Sequence, residues 1–434
     1  MQTKRWRRTL VASMLAMALV ASACGDDGET DTTTTDTTTD GTDGGSEPAT
    51  APGFDGETIR LGVITPTTGP VAVIGNPLTA GNQVRVDAIN AAGGIAGKYP
   101  IELAVEDSAY DAPTAVQKYT SLKEDVVLFA QLLGTPIVSA LLGELETDNI
   151  VAQPASLDSF WVREDNLIPV GGPYQIQAVN AMDWWVNQEG NADSVICFAG
   201  QDDPYGEAGF EGMEYAAEQM GFEIAADVRF AATDTAAEAH APNVQRLAGA
   251  GCEFVFLTGT PSNSGALLGA SAGGGFTPTW VGQSPTWVNA LAESPLAPYL
   301  AAYYHVMTDG AEWGDASIPG MAQMLDDIAA HRPDQTPDIY FVFGYAAMMA
   351  VEQVLEEAVA LGDLGRDGIA NAMSSIETME FGDLFSDYGW GPAADRVPPR
   401  VSRVFGIDPE APEAGYFTPL TEPFASDVAT AYEF

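Results

Sequence analysis

The chain has 434 residues, with 17 Lys and Arg against 61 Asp and Glu, and its formal net charge at pH 7 is −44. Such a charge repels nucleic acids and anionic lipid head groups, which argues against both as partners. The length exceeds what one hydrophobic core usually serves, so more than one folded unit is expected. The scarcity of lysine fits a high-salt habitat and a biased genomic composition equally well.

The N-terminus has the parts of a secretory signal peptide over residues 1–23. Basic residues between Lys4 and Arg8 precede an apolar run over 9–23 that is too short to span a bilayer comfortably. Small residues then lead to Cys24, a pattern typical of a lipoprotein processing site. We therefore expect an exported protein, anchored to the outer face of the cytoplasmic membrane by a lipid on Cys24. Ordinary cleavage that leaves a free N-terminal cysteine is the alternative.

Residues 24–56 follow as an acidic segment rich in threonine, with few apolar side chains. Such a segment buries too little apolar surface to offset its chain entropy, so it is predicted to be disordered. Its like charges repel one another and extend it. The simplest use of residues 24–56 is a tether between the lipidated cysteine and the folded part.

From residue 57 onward, short apolar strands alternate with amphipathic helices. The first series predicts strands at 59–64, 101–106, 126–130 and 150–153 and a helix at 78–92. Two further helices are predicted. One begins after Asp111, which is placed to cap a helix N-terminus, and the other begins at Pro136, because proline is tolerated in a first turn.

The alternation then restarts with a helix at 176–188. The predicted strands are 194–199, 222–230, 252–257, 278–282 and 303–306, and the helices between them are 206–220, 236–249 and 262–272. A long helix at 338–361, a shorter one at 366–376 and a strand at 401–406 complete the chain. The apolar run 339–350 is bounded by acidic residues and is predicted to be a buried core helix. The fold class is therefore α/β, with two doubly wound parallel-sheet lobes.

Cysteine and histidine usage indicates no metal site. Cys197 and Cys252 both lie in predicted strands, where a disulfide and two buried free thiols are both compatible with the sequence. The glycine run Gly273–Gly275 follows a helix, not a strand, so it is no dinucleotide fingerprint. With no nucleophile elbow or phosphate-binding loop either, we expect no catalytic residues and no cofactor.

Several segments carry a family pattern in order along the chain: Ile59–Pro70 with Gly75, Ala88–Gly97, Ile101–Asp107, Asp111–Val116, Asp203–Gly206 and Phe343–Ala347. Together they resemble the leucine/isoleucine/valine-binding protein family, most specifically in Ala88–Gly97. The resemblance implies a type I periplasmic-binding-protein fold, whose two lobes are joined by three crossovers and close on a solute. Lobe 1 is expected at 57–175 and 309–398, and lobe 2 at 176–308 and 399–434. It also implies a monomer that delivers solute to the permease and ATPase subunits of an ABC importer.

The solute should lie at the carboxyl ends of the parallel strands, where ligands of such sheets bind. The loops there supply the predicted ligand-binding residues: Ile74, Gly134, Thr135, Ala155, Ser156, Tyr205, Thr260 and Ser284. Gly134 and Thr135 precede a helix whose N-terminal amides can hold a carboxylate, and Ser156 adds a hydroxyl. The resemblance implies that these loops hold the ligand carboxylate and that Tyr205 faces the solute. Helix capping is the alternative role for Thr135 and Ser156.

One departure from the family bears on the ligand. Amino-acid binders of this family commonly place a carboxylate where this chain has Ser284, and a buried ammonium without a partner is costly. Asp202 or Asp203 could compensate from the facing loop. The pattern Leu133–Pro136 resembles branches that take aromatic or other hydrophobic carboxylates, for which Trp161, Phe160 and Trp287 are candidate pocket residues.

The sequence thus predicts a solute-binding lipoprotein that captures a branched-chain amino acid or a related small hydrophobic carboxylate or amide by hinge closure. The alternative is a ligand-sensing receptor subunit of the same fold, which reports its solute to a membrane partner.

Overall fold

Two mostly parallel β-sheets organise the computed structural model, which describes residues 47–310, 314–335 and 338–434. The predicted signal peptide, Cys24 and most of the predicted tether lie outside these residues. The sheets define the two lobes, and helices flank each sheet.

The first sheet has the strand order β2-β1-β3-β4, with all pairs parallel. Its strands are β1 (Ile59–Thr65), β2 (Ile101–Asp107), β3 (Phe129–Leu133) and β4 (Ala152–Ala155), connected by α1 (Ala72–Ala91), α2 (Ala112–Leu122) and α3 (Thr135–Asp148). Alternate side chains of the strands point to opposite faces. Leu61 and Val63 pack in one buried cluster, while Ile64 packs in another with residues of α2 and α3. The sheet is therefore covered on both faces.

The second sheet has the order β13-β12-β9-β8-β7-β5-β6. Its parallel part comprises β5 (Ile196–Gln201), β6 (Ile224–Phe230), β7 (Phe254–Thr258), β8 (Thr279–Gln283) and β9 (Tyr304–Thr308). The surrounding helices are α4 (Tyr174–Asp183), α5 (Pro204–Met220), α6 (Ala237–Ala250), α7 (Pro261–Gly274), α8 (Asn289–Ala292) and α9 (Ala297–Tyr303).

The chain then returns to the first lobe and crosses once more to the second. The first lobe gains three helices and a short strand pair: α10 (Pro319–His331), α11 (Ile339–Ala360), α12 (Arg366–Ser375), β10 (Thr378–Met379) and β11 (Tyr388–Gly389). The second lobe gains β12 (Arg403–Ile407), β13 (Phe417–Pro419) and α13 (Asp427–Thr430). Strand β12 is antiparallel to β9. The three crossovers follow β4, β9 and β11, which confirms the predicted fold class.

Helix α11 is long and apolar enough to cross a membrane by length and composition, but 67% of its most apolar window is buried inside the protein. It packs in the first-lobe core, as predicted for the run 339–350. Helix α10 lies where no element was predicted, and its Met321 and Met324 pack in the same core.

The folded part begins before the predicted tether boundary at residue 56. Phe54 is 2% exposed, and its ring packs edge-on against Tyr99 at 5.1 Å. The backbone of Ala51 pairs with that of Phe54, and the amide of Arg60 donates to the carbonyl of Gly53. The single aromatic residue of an otherwise polar segment is enough to fix residues 51–56 on the first lobe.

Cys197 and Cys252 form a disulfide in the core of the second lobe. The sequence left this pairing open because β6 separates the two residues along the chain. In the sheet, however, β5 pairs directly with β7, which brings the two Cα atoms within 5.9 Å.

Candidate solute-binding site

A cavity lies between the two lobes, at the carboxyl ends of their strands. All of the predicted ligand-binding residues line it: Ile74, Gly134, Thr135, Ala155, Ser156, Tyr205, Thr260 and Ser284. They come from loops that are far apart in sequence. The structure brings them together because parallel strands end at the same edge of each sheet.

The first-lobe side of the cavity is the N-terminus of α3. Gly134 precedes the helix with a φ of 110°, a region that only glycine adopts readily, and it supplies no side-chain cap. A Cβ at this position would lie 2.6 Å from the ring of Tyr110. Thr135 is 1% exposed, and its Oγ1 has no hydrogen-bond partner among the described residues. The start of α3 therefore presents an uncapped helix terminus and an unpaired hydroxyl to the cavity.

Ser156 adds a second hydroxyl from the end of β4. Its Oγ accepts a hydrogen bond from Nε1 of Trp161 at 3.0 Å. Because that bond uses an oxygen lone pair, the O–H of Ser156 remains able to donate toward the cavity. Trp161 itself is buried in the first-lobe core and holds the serine in place without lining the cavity.

The second lobe presents Tyr205, in the first turn of α5. Its side chain is 3% exposed, and its Oη has no partner among the described residues. Burial raises the pKa of this phenol well above its ordinary value, so Tyr205 stays a neutral donor. The N-terminus of α5 is closed by its own sequence: Oδ1 of Asp203 accepts from the amides of Tyr205 and Gly206 at 3.0 and 3.1 Å.

Thr260 and Ser284 are tied into the second lobe by hydrogen bonds. The amide of Thr260 donates to Oε1 of Gln201 at 2.8 Å, and its Oγ1 donates to Oδ1 of Asn263 at 2.7 Å. The amide of Ser284 donates to Oε1 of Gln177 at 3.2 Å. These bonds fix the positions of both residues at the cavity wall.

Several aromatic residues of the wall were not predicted. They are Tyr110, Tyr174, Tyr340, Phe343, Phe385, Phe405 and Phe417. Tyr110 follows β2, so the strand-end rule that found the other loops applies to it as well. Tyr340 and Phe343 lie at the start of α11, whose sequence is apolar enough to predict a core helix. No local signal distinguishes these two cavity residues from the core residues of the same helix.

The cavity wall carries no charged side chain among the residues that the structure describes. Neither Asp202 nor Asp203 lines the cavity, and Oδ2 of Asp203 accepts from Nε2 of Gln201 at 2.8 Å. The two carboxylates therefore do not replace the one that is missing at Ser284. The candidate aromatics Trp161 and Trp287 are core residues, and Phe160 is 61% exposed.

Direct contacts join the lobes across the cavity. Oγ of Ser262, in the second lobe, donates to the carbonyl of Pro70 in the first at 3.0 Å. Oη of Tyr340, on α11, donates to the second-lobe carbonyl of Trp287 at 2.5 Å. The structure therefore shows the two lobes in contact around the cavity.

The sequence profile of a family described as "periplasmic binding protein" matches residues 58–412. The chain belongs to the periplasmic binding protein family. Membership supports a solute-binding role for the cavity and an extracytoplasmic location. A curated relative, Leu/Ile/Val-binding protein homolog 3 of Brucella melitensis, is 33% identical over 91 residues, which are 21% of this chain. The match spans 24% of that relative's length.

Two solved structures are similar to this protein over most of both chains. A fatty acid ABC transporter substrate-binding protein from Thermomonospora curvata has a TM-score of 0.80 and 26% identity, covering 89% of this chain and 97% of its own. A branched chain amino acid ABC transporter from Thermus thermophilus with bound valine has a TM-score of 0.74 and 17% identity, covering 86% and 98%. The second likeness shows the fold alone.

Proposed function

We propose that this periplasmic binding protein is the lipid-anchored solute-binding subunit of an ABC importer and that it captures a hydrophobic monocarboxylic acid without an ammonium group. The uncharged cavity wall carries this proposal. An α-amino acid would bring an ammonium to a wall with no carboxylate among its lining residues, and an unpaired buried charge is strongly unfavourable.

The donors at the wall suit a carboxylate. Thr135, Ser156 and Tyr205 offer neutral O–H groups, and the N-terminus of α3 adds the backbone amide of Thr135 and the positive end of a helix dipole. Hydrogen bonds to a charged acceptor are worth about 1.5–3 kcal/mol each. The remaining wall is mainly aliphatic and aromatic and fits an apolar body. The fatty acid ABC transporter substrate-binding protein from Thermomonospora curvata, to which this chain is similar, belongs to a transporter of the ligand class proposed here.

Binding proceeds by hinge closure in this proposal. The acid first binds the first lobe, where α3 presents its uncapped terminus. Tyr205 then reaches it from the second lobe, and the bonds Ser262–Pro70 and Tyr340–Trp287 form as the lobes meet. A ligand that contacts both lobes favours the closed state by its differential affinity for that state.

The sharpest test compares leucine with 4-methylpentanoate, which is leucine without its amino group. We expect 4-methylpentanoate to raise the melting temperature of the purified protein and to bind measurably by calorimetry, with leucine at least tenfold weaker. A ligand at 100 times its Kd stabilises by about 2.7 kcal/mol, which thermal unfolding resolves easily. Tighter binding of leucine would reject the ammonium-free class and restore the branched-chain amino acid.

The lipid anchor is tested separately. Cys24→Ser should move the protein from the membrane fraction to the soluble fraction, because the anchor depends on that sulfur. A Cys24→Ser variant that stays in the membrane fraction would contradict the lipoprotein proposal and leave the ligand proposal untouched.

A further inference from the structure

The cavity continues beyond the carboxylate donors toward the segments that connect the lobes. Thr308 and Gly310, at the second crossover, line the same cavity as Gly134 and Thr135. Phe385, from the loop between β10 and β11, lines it as well. The cavity therefore extends from the donors at α3 to the crossovers, where Phe385 lies beside Thr308 and Gly310.

Contacts between side chains establish the order of residues along this space. Phe343 packs against the cluster that holds Ile74 and Leu133, next to the polar end. The ring of Phe343 also meets the ring of Phe385 edge-on, with centroids 5.8 Å apart. Phe343 thus links the cluster beside the carboxylate donors to Phe385.

Phe385 packs against glycines of two crossovers, next to the side chains of Thr308 and Asp309. Atoms of its ring lie 3.4 and 3.5 Å from the positions that a Cβ would take on Gly171 and Gly310, in the first and second crossovers. The side chain is 6% exposed. The ring fits at this position because the two glycines have no side chains, and the packing leaves it little room to move away from the cavity.

We propose that the Phe343–Phe385 pair forms the end wall of the cavity and sets the longest apolar tail that the protein accepts. This inference rests on the proposed function, in which the carboxylate of the acid lies at α3 and its tail extends toward the crossovers. Phe385 is then a specificity-determining residue far in sequence from the head-group site.

The wall has a measurable signature in a homologous series of straight-chain acids. Each methylene that enters an apolar cavity improves affinity by about fourfold, which follows from the transfer free energy of a buried CH₂. The gain should continue until the tail reaches Phe385 and then stop or reverse. A plot of log Kd against chain length therefore has a break whose position reports the wall.

The experiment is calorimetry of butanoate through tetradecanoate on the purified protein and on Phe385 variants. Phe385→Leu and Phe385→Ala should move the break to acids longer by one to three methylenes, and Phe385→Trp should move it to shorter ones. The conservative Phe385→Leu keeps the test valid if Phe385→Ala does not fold. Affinity for butanoate should change less than threefold in all variants, because the head-group site is intact.

Phe210→Ala is the matched control. Phe210 is half-buried on α5, where its ring packs against Phe198 and Arg229, and it does not line the cavity. The break should stay in place in this variant. A break that does not move in any Phe385 variant, or that moves equally in Phe210→Ala, would overturn the end-wall proposal while the proposed function stands. If 4-methylpentanoate binds the unmodified protein and no straight-chain acid does, the end-wall proposal fails and the proposed function stands. If none of these acids binds, both proposals fail.

Discussion

Each lobe places the N-terminus of a helix at the cavity, and the two termini differ in whether a side chain caps them. In each lobe a helix begins directly after a parallel strand, α3 after β3 and α5 after β5. The terminus of α5 is closed by the Asp203 side chain, whereas Gly134 gives α3 no cap. A helix N-terminus attracts negative charge. The N-terminus of α3 is free to bind an anion, whereas that of α5 is already occupied by the carboxylate of Asp203. The comparison assigns head-group binding to the first lobe and closure to the second.

The largest effect is expected from Gly134→Ala, which attacks the open terminus directly. The substitution forces a Cβ into the ring of Tyr110 and strains a residue at positive φ, a cost of about 1–3 kcal/mol. Displacing the Thr135 amide and hydroxyl removes two charge-assisted bonds, so acid affinity should fall about a hundredfold by calorimetry. Gly143→Ala, on the exposed face of the same helix, is the control and should leave affinity unchanged. Equal affinities in the two variants would remove α3 from the site.

A smaller effect is expected from Thr135→Val. The change deletes the unpaired Oγ1 and should weaken binding of the acid about tenfold without lowering the free energy of unfolding. Thr258→Val is the second-lobe counterpart, since Oγ1 of Thr258 is also buried without a partner but lies outside the cavity wall. Titration of both variants with the same acid separates them. A loss in Thr258→Val as large as in Thr135→Val would indicate a general packing effect.

A substitution that removes the cap of α5 should change the stability of the protein and not its affinity for the acid. Asp203→Ala removes the cap of α5 and should lower the free energy of unfolding by about 1 kcal/mol, measured with urea. Acid affinity should change less than twofold. Asp111→Ala, which removes the cap of α2, is expected to give a similar loss of stability. If Asp203→Ala alone altered affinity tenfold, the N-terminus of α5 would take part in head-group binding in addition to the Tyr205 hydroxyl.

The last prediction concerns the pH dependence of another self-capped helix. Asp338 caps α11, and burial raises the pKa of its carboxyl to about 6 from 3.8. Between about pH 4 and 6 the folded state therefore holds a proton that the unfolded state has lost, so this carboxyl makes stability fall as pH rises. Asp338→Asn should flatten that part of the curve of unfolding free energy against pH. A variant curve parallel to that of the unmodified protein would show that Asp338 does not titrate in this window.

Much of the site could be predicted because ligands of parallel sheets bind at the carboxyl ends of the strands. Thr135, Ser156, Tyr205 and Ser284 all follow strands whose apolar runs are visible in the sequence, and all line the cavity. The aromatic wall could not be predicted in the same way. Phe343 belongs to an apolar helix in which core and cavity residues are chemically alike, and Phe385 lies in a loop without a strand pattern.

By itself, the sequence determined the alternation of strands and helices, because hydrophobic periodicity and capping act over a few residues. It also determined that a helix begins near Gly134 and Pro136, which are local features, but it left open whether Thr135 caps that helix. Tertiary structure decided the pairing of Cys197 with Cys252, the burial of Phe54 and the place of Phe385 beside Gly171 and Gly310. Each of these depends on which segments pack together across long separations in the chain, and short-range patterns carry no record of that packing.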